Sequence, residues 1–422
     1  MPTVKVKGLR WWMMALLMMG SIINYLTRST LSVAAPTVLQ DLHISAREYS
    51  WIVAAFQGAI MLQPLCGYVL DVLGLRLGFA IFAVAWSLIS MAHALAHSWQ
   101  ALAGLRGLLG LAEGSANPAG MKATAEWFPA RERGFAGGLF NIGASFGSML
   151  APPLVAWAIL SYDWQTAFVI TGGIGIVWVV LWLLFFDTPD RHRALSPEER
   201  QMIVEGQERH LAGGARPSPL TILRQRNFWG IALPRFLADP TWGTLTFWVP
   251  LYLSQVRHFD LKQIAMFAWM PFLAADLGCL FGPAVTAALQ KYLGLTLVNA
   301  RRSVFTLGAF MMIGIAFAGL VQSPYTAVAL ISLAGFAHQT LSVTVITMSS
   351  DLFKRSEVAT VAGMAGTMGN AGLMLFSLLI GALVKTIGYS PFFVCLSVLD
   401  LLGAVVLWTV LRRPEEAGLQ VS

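Results

Sequence analysis

The stretch WQTAFVITGGIGIVWVVLWLLFF, residues 164–186, has no charged side chain in 23 positions. A helix that spans a bilayer needs about 20 mostly apolar residues, so this stretch is long enough to cross a membrane. The whole chain has the same character, because 57% of its 422 residues are hydrophobic and 12% are charged, against about 25% charged in ordinary globular proteins. The composition excludes a soluble or disordered chain and predicts a polytopic membrane protein.

Apolar stretches of spanning length occur six times before the polar segment 187–226 and six times after it. The pattern predicts an all-α membrane protein with twelve transmembrane helices in two six-helix bundles, 1–186 and 227–422, joined by the linker 187–226. The predicted spans cover residues 11–38, 49–73, 76–97, 99–128, 133–160, 164–186, 228–255, 262–289, 303–321, 325–353, 358–387 and 391–411.

The basic residues predict the orientation of these spans. With both termini in the cytoplasm, the inner segments hold 20 lysines and arginines and the outer loops hold 4, as the positive-inside rule requires. We therefore expect a multi-pass protein of the cell inner membrane whose net charge of +7 needs no nucleic-acid partner. Within the linker, LSPEERQMIVEGQERH (195–210) predicts a short amphipathic helix capped by Ser196, serving as a surface tether.

The two halves of the chain resemble each other around the fifth and eleventh spans. EWFPARERGFAGGLFNIGAS (126–145) and SDLFKRSEVATVAGMAGTMGN (350–370) align so that Glu132 matches Glu357 and Ser145 matches Asn370. An internal repeat of this kind is typical of transporters that are built from two related bundles.

Three charged residues in the first and fourth spans form the leading candidate site. Arg28 lies in the outer half of the first span, one turn after Tyr25. Arg106 and Glu113 lie seven residues apart in the fourth span and therefore on nearly the same helix face. A charge costs about 2.5–3.5 kcal/mol at the bilayer centre, so such residues are functional candidates. An Arg–Glu–Arg group would suit an anion, since a guanidinium binds a carboxylate through two hydrogen bonds; a structural ion pair is the alternative.

Glu113 is the candidate proton carrier. An anion that arrives at the arginines would offset part of their influence on the glutamate, so that Glu113 takes up a proton more easily. Arg106 and Asp239 are the other candidates for proton coupling. Asp239 lies one turn after Arg235 in the seventh span, and an ion pair between these two is the alternative to a role in transport.

Polar and aromatic side chains in the later spans are candidate substrate contacts. Interhelical hydrogen bonds or packing against lipid are the alternatives for each. Together with Tyr25 and Arg28, the candidates for substrate binding are Asn141, Ser145, Trp242, His338, Gln339 and Asn370. Asp400 is interpreted as structural, and the role of Asp276 stays open. The chain shows no catalytic set, no metal-ligand spacing and no phosphate-binding loop, so we expect no enzyme activity, metal or cofactor.

The loop after the second span, GYVLDVLGLRLG (67–78), has the spacing G-x3-D-x2-G-x-R at Gly67, Asp71, Gly74 and Arg76. It resembles the signature loop of the major facilitator superfamily. Glycine permits a tight turn, and Asp71 can pair with Arg131 or Arg133 to latch one conformation. Val72 and Leu77 occupy positions that are often basic in the family, which predicts a weaker latch.

Further stretches narrow the resemblance to bacterial hexuronate transporters in the anion:cation symporter branch, and it covers nearly the whole chain. They are KGLRWWMMAL (7–16), EWFPARERG (126–134), FWGIALPRFLADPTWGT (228–244), KQIAMFAWMPFLAADLGC (262–279) and GFAHQTLS (335–342).

The resemblance implies uptake of galacturonate and glucuronate with protons by alternating access. It also implies that Arg28 binds the carboxylate, that Glu113 couples protons with Arg106 beside it, and that Tyr25 faces the substrate. Many relatives carry an acid just before the arginine of the first span, where this chain has Thr27. Carriers of aldonates, aldarates or other organic anions, and a channel or sensor that never concentrates its ligand, are the alternatives. We expect a monomer.

Overall fold

The computed structural model describes residues 5–205, 219–353 and 355–412, and their regular structure is almost entirely helical. The chain divides into two compact units, the first made of residues 1–44 and 55–213 and the second of residues 45–54 and 214–422. The elements up to the linker are α1 (Leu9–Asp41), α2 (Ala46–Ile60), α3 (Gln63–Leu73), α4 (Leu75–Ala92), a 3₁₀ turn (His93–Leu95), α5 (Trp99–Glu113), α6 (Ala116–Trp127), α7 (Ala130–Ser161), α8 (Trp164–Phe185) and α9 (Pro197–Glu205).

The second half of the chain has the same helical character. One π-helical turn interrupts the first span of this half, which is the seventh predicted span of the chain. Its elements are α10 (Pro219–Leu223), α11 (Arg226–Gly243), the π-helical turn (Thr244–Trp248), α12 (Val249–Gln255), α13 (Leu261–Phe267), α14 (Met270–Leu293), α15 (Leu297–Met311), α16 (Ile313–Ala316), α17 (Pro324–Leu352), α18 (Arg355–Ile387) and α19 (Ser390–Thr409).

Every predicted span is occupied by helix, which confirms the predicted all-α membrane fold of twelve transmembrane helices. Among the described residues, seven helices are long and apolar enough to cross a membrane, and α2 with α3 makes an eighth as a span bent by 43°. Other predicted spans are interrupted by short breaks near polar residues. The fourth span breaks between α5 and α6, directly after Glu113, and the seventh passes through the π-helical turn. Glu113 therefore lies at a break in its span, whereas Arg28 lies inside the continuous helix α1.

The apolar stretch 164–186 forms α8, and the helix ends one residue before the stretch does. Asp163 caps the helix, because its carboxylate accepts a hydrogen bond of 2.6 Å from the Thr166 backbone amide. Hydrogen bonds from Thr166 hold the pKa of the Asp163 carboxyl below its ordinary value. Inside the first unit, α8 packs its tryptophans on α4, where Phe79 meets Trp178 and Trp182 edge to face. Burial of these rings fixes α8 against the unit core.

Glycines bring the first and fifth spans together, and the seventh and eleventh spans in the same way. A side-chain carbon at Gly147 of α7 would collide with the backbone carbonyl of Ile22 in α1, and one at Gly372 of α18 would collide with that of Phe236 in α11. Small residues permit such close helix contacts where the surrounding lipid supplies no hydrophobic driving force. The alignment of Glu132 with Glu357 also aligns Gly147 with Gly372, so the two contacts support the internal repeat.

The linker helix α9 is bound to the first unit, and its role as a surface tether stays a prediction. Ser196 caps α9 as predicted, accepting from the Glu199 amide at 3.1 Å. The Glu199 carboxylate in turn accepts the Leu9 and Arg10 amides at 3.0 and 3.3 Å, and an acid is stabilising at the N-terminus of a helix. Arg10 bridges Glu199 at 2.7 Å and Glu132 at 2.9 Å. The start of α9 therefore joins the N-terminal ends of α1 and α7.

In the second unit, the π-helical turn is stabilised from α2. The Tyr49 hydroxyl donates a hydrogen bond of 2.8 Å to the Phe247 carbonyl oxygen, and the Tyr49 ring meets Trp248 edge to face. The Trp248 indole donates to the Ser377 hydroxyl at 2.9 Å. A π-helical turn disturbs the regular i→i−4 bonding pattern, and Tyr49 supplies a partner for one carbonyl group in it.

We expect Gly147→Val and Gly372→Val each to destabilise the protein by about 1–3 kcal/mol, since the added carbons overlap a backbone carbonyl that cannot move without its helix. Thermal unfolding in detergent measures the loss. Gly173→Ala is the matched control, because nothing lies within 4 Å of a side-chain carbon there. An equal loss in all three variants would contradict the close-packing explanation.

Candidate functional site

The first unit brings Arg28, Arg106 and Glu113 together at the junction of α1 and α5, as the sequence predicts. Glu113 is the last residue of α5 and is 1% exposed, while Arg106 is fully buried. A carboxylate at the C-terminus of a helix meets the negative end of the helix dipole, so Glu113 depends on neighbouring cations for its charge. The Arg28 side chain keeps 14% exposure, which makes it the accessible member of the cluster.

Both carboxylate oxygens of Glu113 are hydrogen-bonded to α1. Arg28 donates from Nε to Oε2 at 3.1 Å, and the Thr27 hydroxyl donates to Oε1 at 2.9 Å. The second arm of the Arg28 guanidinium donates to the Asn24 side-chain oxygen at 3.2 Å. Two adjacent residues of α1 therefore supply both partners of the acid. No sequence signal pointed to this role of Thr27 beyond its departure from the family pattern.

Aromatic rings hold the two guanidinium groups in place. The Arg28 guanidinium lies 4.3 Å from the centre of the Tyr25 ring, and Phe56 of α2 lies between the two arginines at 5.3 and 4.9 Å. Arg106 donates to the Arg28 carbonyl oxygen at 3.0 Å. Cation–π contacts are stronger where water is excluded. Tyr25 was predicted as a site residue. Phe56 was not, because one phenylalanine in an apolar span does not differ from its apolar neighbours.

The signature loop forms a turn with an ion pair at its edge. Gly74 adopts a positive φ of 79° between α3 and α4, as a tight turn requires, whereas Gly67 lies inside α3 and packs near Pro118. Asp71 pairs with Lys122 of α6 at 2.7 Å, which is not one of the predicted partners. Arg76 pairs with Asp187 at 3.2 Å, and the side chains of Arg131 and Arg133 lie outside the described residues.

In the second unit, Arg235 and Asp239 pair with each other. The Arg235 guanidinium donates to the Asp239 carboxylate at 3.0 Å, which agrees with the ion-pair alternative. Gly369 of α18 leaves room for this carboxylate, because a side-chain carbon there would overlap it. The pair is about one-sixth exposed, so its Coulomb attraction is not fully screened by water.

The remaining candidates of the second unit divide into two groups. Trp242 and His338 stack with ring centres 5.9 Å apart and an interplanar angle of 22°. Gln339 instead donates to the Cys279 sulfur at 3.3 Å, and Asn370 donates to the Gly366 carbonyl at 3.2 Å in its own helix. The Gln339 bond joins α17 to α14, as the interhelical alternative predicts, and the Asn370 bond stays within α18.

Two predicted candidates belong to α7. Ser145 is buried in the first unit. The side chain of Asn141 lies outside the described residues.

The internal repeat relates the two clusters. Arg28 and Trp242 each lie six residues after the carbonyl that meets Gly147 or Gly372. The offset of 225 residues between those glycines also relates Glu113 to His338. The ion pair Arg28–Glu113 of the first unit thus corresponds to the stacked pair Trp242–His338 of the second. One unit presents charge at this position, and the other presents aromatic rings.

Thr241 occupies the position that corresponds to Thr27 and also contacts a buried acid. Its hydroxyl lies 3.5 Å from a carboxylate oxygen of Asp400 in α19, and Asp400 is fully buried. The contact is at the long limit of a hydrogen bond. It ties α19 to α11, in line with the structural interpretation of Asp400.

A helical membrane chain with two related units and a buried acid among arginines is the architecture of a secondary transporter. The model of the Major Facilitator Superfamily matches residues 17–298 and 284–421, and the chain belongs to that family. It is a transporter and not an enzyme.

Named relatives agree with this family. The chain is 51% identical to the hexuronate transporter of Escherichia coli (strain K12), over 97% of this chain and 95% of the relative. It is 52% identical to the galacturonate transporter of Dickeya chrysanthemi, over 77% and 95%. A crystal structure of a bacterial homolog to the human lysosomal transporter Spinster matches with a TM-score of 0.70 at 14% identity, covering 96% of both chains. This likeness shows the fold.

We expect Glu113→Leu to destabilise the first unit strongly, because it leaves two guanidinium groups without their acid. Removing one partner of a buried ion pair costs about 3–5 kcal/mol. Thermal unfolding in detergent measures the loss, with the exposed Glu205 changed to Leu as the control. A loss no larger than that of the control would show that Glu113 does not balance the arginines.

Proposed function

We propose that this chain is a proton-coupled symporter that imports the hexuronates galacturonate and glucuronate by alternating access. The observation that carries the proposal is the hydrogen-bonded pair of Arg28 and Glu113, 3.1 Å apart, in which Glu113 is buried and the Arg28 side chain stays partly exposed. The names of the hexuronate and galacturonate relatives support the choice of substrate.

Arg28 is the proposed anion-binding residue. Its guanidinium is partly exposed, and Tyr25, Phe56 and Asn24 orient it. A planar guanidinium that is fixed in this way loses little freedom when it binds a carboxylate through two hydrogen bonds. The hexuronate carboxylate competes with Glu113 for the donors of Arg28, so that binding of the substrate weakens the existing ion pair.

That competition is the proposed basis of coupling. When a substrate carboxylate takes over part of the Arg28 interaction, Glu113 loses stabilisation of its charged form in a buried site. A buried carboxylate without sufficient compensation becomes neutral by taking up a proton. Proton and anion therefore favour each other's binding, as linkage requires. Arg106 stays bonded to the backbone of Arg28 at 3.0 Å and keeps the site positive.

The second unit contributes candidates for the neutral part of the substrate. Trp242 offers a ring face of the type that packs on sugar C–H groups, and His338 offers ring nitrogens for hydroxyl groups. Asp239, paired with Arg235, is an auxiliary proton site within this proposal. Ser145, Asn141, Gln339 and Asn370 are secondary candidates, and the amides of the last two keep a second donor and an acceptor oxygen beyond the one bond that each donates.

The proposal places the protein in the cell inner membrane with both termini in the cytoplasm. The excess of lysine and arginine in the assigned inner segments, 20 against 4, supports this orientation. The binding of α9 to the start of α1 agrees with it, because the N-terminus and the linker must then lie on the same side of the membrane.

Glu113→Gln should abolish accumulation of galacturonate driven by a pH gradient, because glutamine cannot carry a proton. Exchange of labelled for unlabelled galacturonate should continue, since exchange needs no net proton movement. Uptake into proteoliposomes with and without the gradient measures both. Accumulation by Glu113→Gln against a concentration gradient would contradict the proton-carrying role.

Arg28→Lys should weaken galacturonate binding by about tenfold or more, because lysine keeps the charge but cannot form the bidentate contact. Binding calorimetry with galacturonate, glucuronate, galactonate and neutral galactose tests the substrate class. Arg226→Lys is the matched control, since Arg226 binds backbone carbonyls at the end of α19. Equal affinity for galactose and galacturonate would contradict recognition of the carboxylate, and preference for galactonate would make the chain an aldonate carrier.

A further inference from the structure

Thr27 lies between the Glu113 carboxylate and the backbone of α1. Its hydroxyl oxygen is 2.9 Å from Glu113 Oε1, 3.1 Å from the Ile23 carbonyl oxygen and 2.9 Å from the Asn24 carbonyl oxygen, and the residue is fully buried. A threonine hydroxyl has one hydrogen and two acceptor lone pairs. It can therefore donate to only one of these three oxygens at a time, and it can accept a hydrogen bond while it donates another.

The two oxygens of Glu113 are not equivalent as sites for a proton. Oε2 accepts from Nε of Arg28 at 3.1 Å, and a guanidinium can only donate. A proton on Oε2 would point a donor at a donor. Oε1 faces the Thr27 hydroxyl, which can accept. The geometry therefore favours Oε1 as the site of protonation.

We propose that Thr27 is a positioning residue that keeps Glu113 hydrogen-bonded in both protonation states. In the charged state, Thr27 donates its hydrogen to Oε1. When a proton from solution binds Oε1, the new O–H donates to the Thr27 oxygen, and the Thr27 hydrogen turns to the carbonyl of Ile23 or Asn24. Oε2 remains the oxygen that faces Nε of Arg28, whose interaction the substrate weakens. The inference rests on the proposed function and extends it to the residue that handles the proton.

The charged surroundings of Glu113 make a neutral partner at position 27 useful. Among the described residues, Arg28 on α1 and Arg106 on α5 act on the Glu113 charge, and Arg106 also acts on His93, in the 3₁₀ turn after α4. The nearby residue of α2 is the apolar Phe56. The cations can stabilise only the charged acid, so the hydroxyl is the group that also serves the protonated one.

The test compares Thr27→Val, Thr27→Ser and Thr30→Val in proteoliposomes. Valine keeps the shape of threonine without the hydroxyl, and serine restores the hydroxyl. Thr30 is the matched control, because it is equally buried in α1 but bonds to the Leu26 carbonyl at 2.9 Å and to Thr171 at 3.3 Å. Initial rates and accumulation of galacturonate are measured across a pH series, with exchange measured in parallel.

We expect Thr27→Val to lower accumulation driven by a pH gradient by about tenfold, the effect of losing one buried hydrogen bond, and to lower exchange less. The midpoint of its pH profile should move by about half a unit or more. Thr27→Ser should stay within about twofold of the wild type, and Thr30→Val should keep the wild-type midpoint. Combined with Glu113→Gln, Thr27→Val should add no further loss of accumulation.

A Thr27→Val profile equal to that of the wild type, or an equal shift in Thr30→Val, would overturn the inference. Thr27→Ala takes the place of Thr27→Val if the valine variant is not monodisperse in detergent. If Glu113→Gln loses accumulation and Thr27→Val does not, the inference fails and the proposed function stands. If Glu113→Gln accumulates substrate like the wild type, the proposed function fails and the inference fails with it.

Discussion

The buried contact between Glu113 and Arg28 is the constraint on which the rest of the first unit depends. An isolated charge in such a place is too costly, so acid and base must arrive together from two helices that are far apart in sequence. This requirement brings long side chains of α1 and α5 together beside Phe56. It also explains why Tyr25 and Asn24 are devoted to orienting one guanidinium.

The two units show how one architecture carries two chemistries. Glycines at corresponding positions join α7 to α1 and α18 to α11 through backbone contacts. At the positions where the first unit has Arg28 and Glu113, the second has Trp242 and His338. The close helix packing is the same in both units. The side chains at the corresponding positions differ, with an ion pair in the first unit and stacked rings in the second. In the proposed mechanism, the charged pair of the first unit suits the carboxylate of a sugar acid.

A second set of charges organises the end of the first unit at which α1 and α7 begin. Glu199 of the linker caps α1, and Arg10 joins it to Glu132 at the start of α7. Asp71 and Lys122 tie the signature loop to α6. These contacts connect the linker, the termini of three helices and the loop without involving the buried acid. Local charge pairs thus fix the ends of helices whose middles are held by packing.

The sequence by itself determined the membrane class, the twelve spans, the repeat and the group of Arg28, Arg106 and Glu113, because hydropathy and the cost of buried charge are properties of the chain alone. Only the tertiary structure decided the partners. Lys122 rather than an arginine was found beside Asp71, Gln339 bonded to Cys279, and Thr27 bonded to Glu113. Such choices depend on the rotation of each helix about its axis, and that rotation is set by packing between residues distant in sequence.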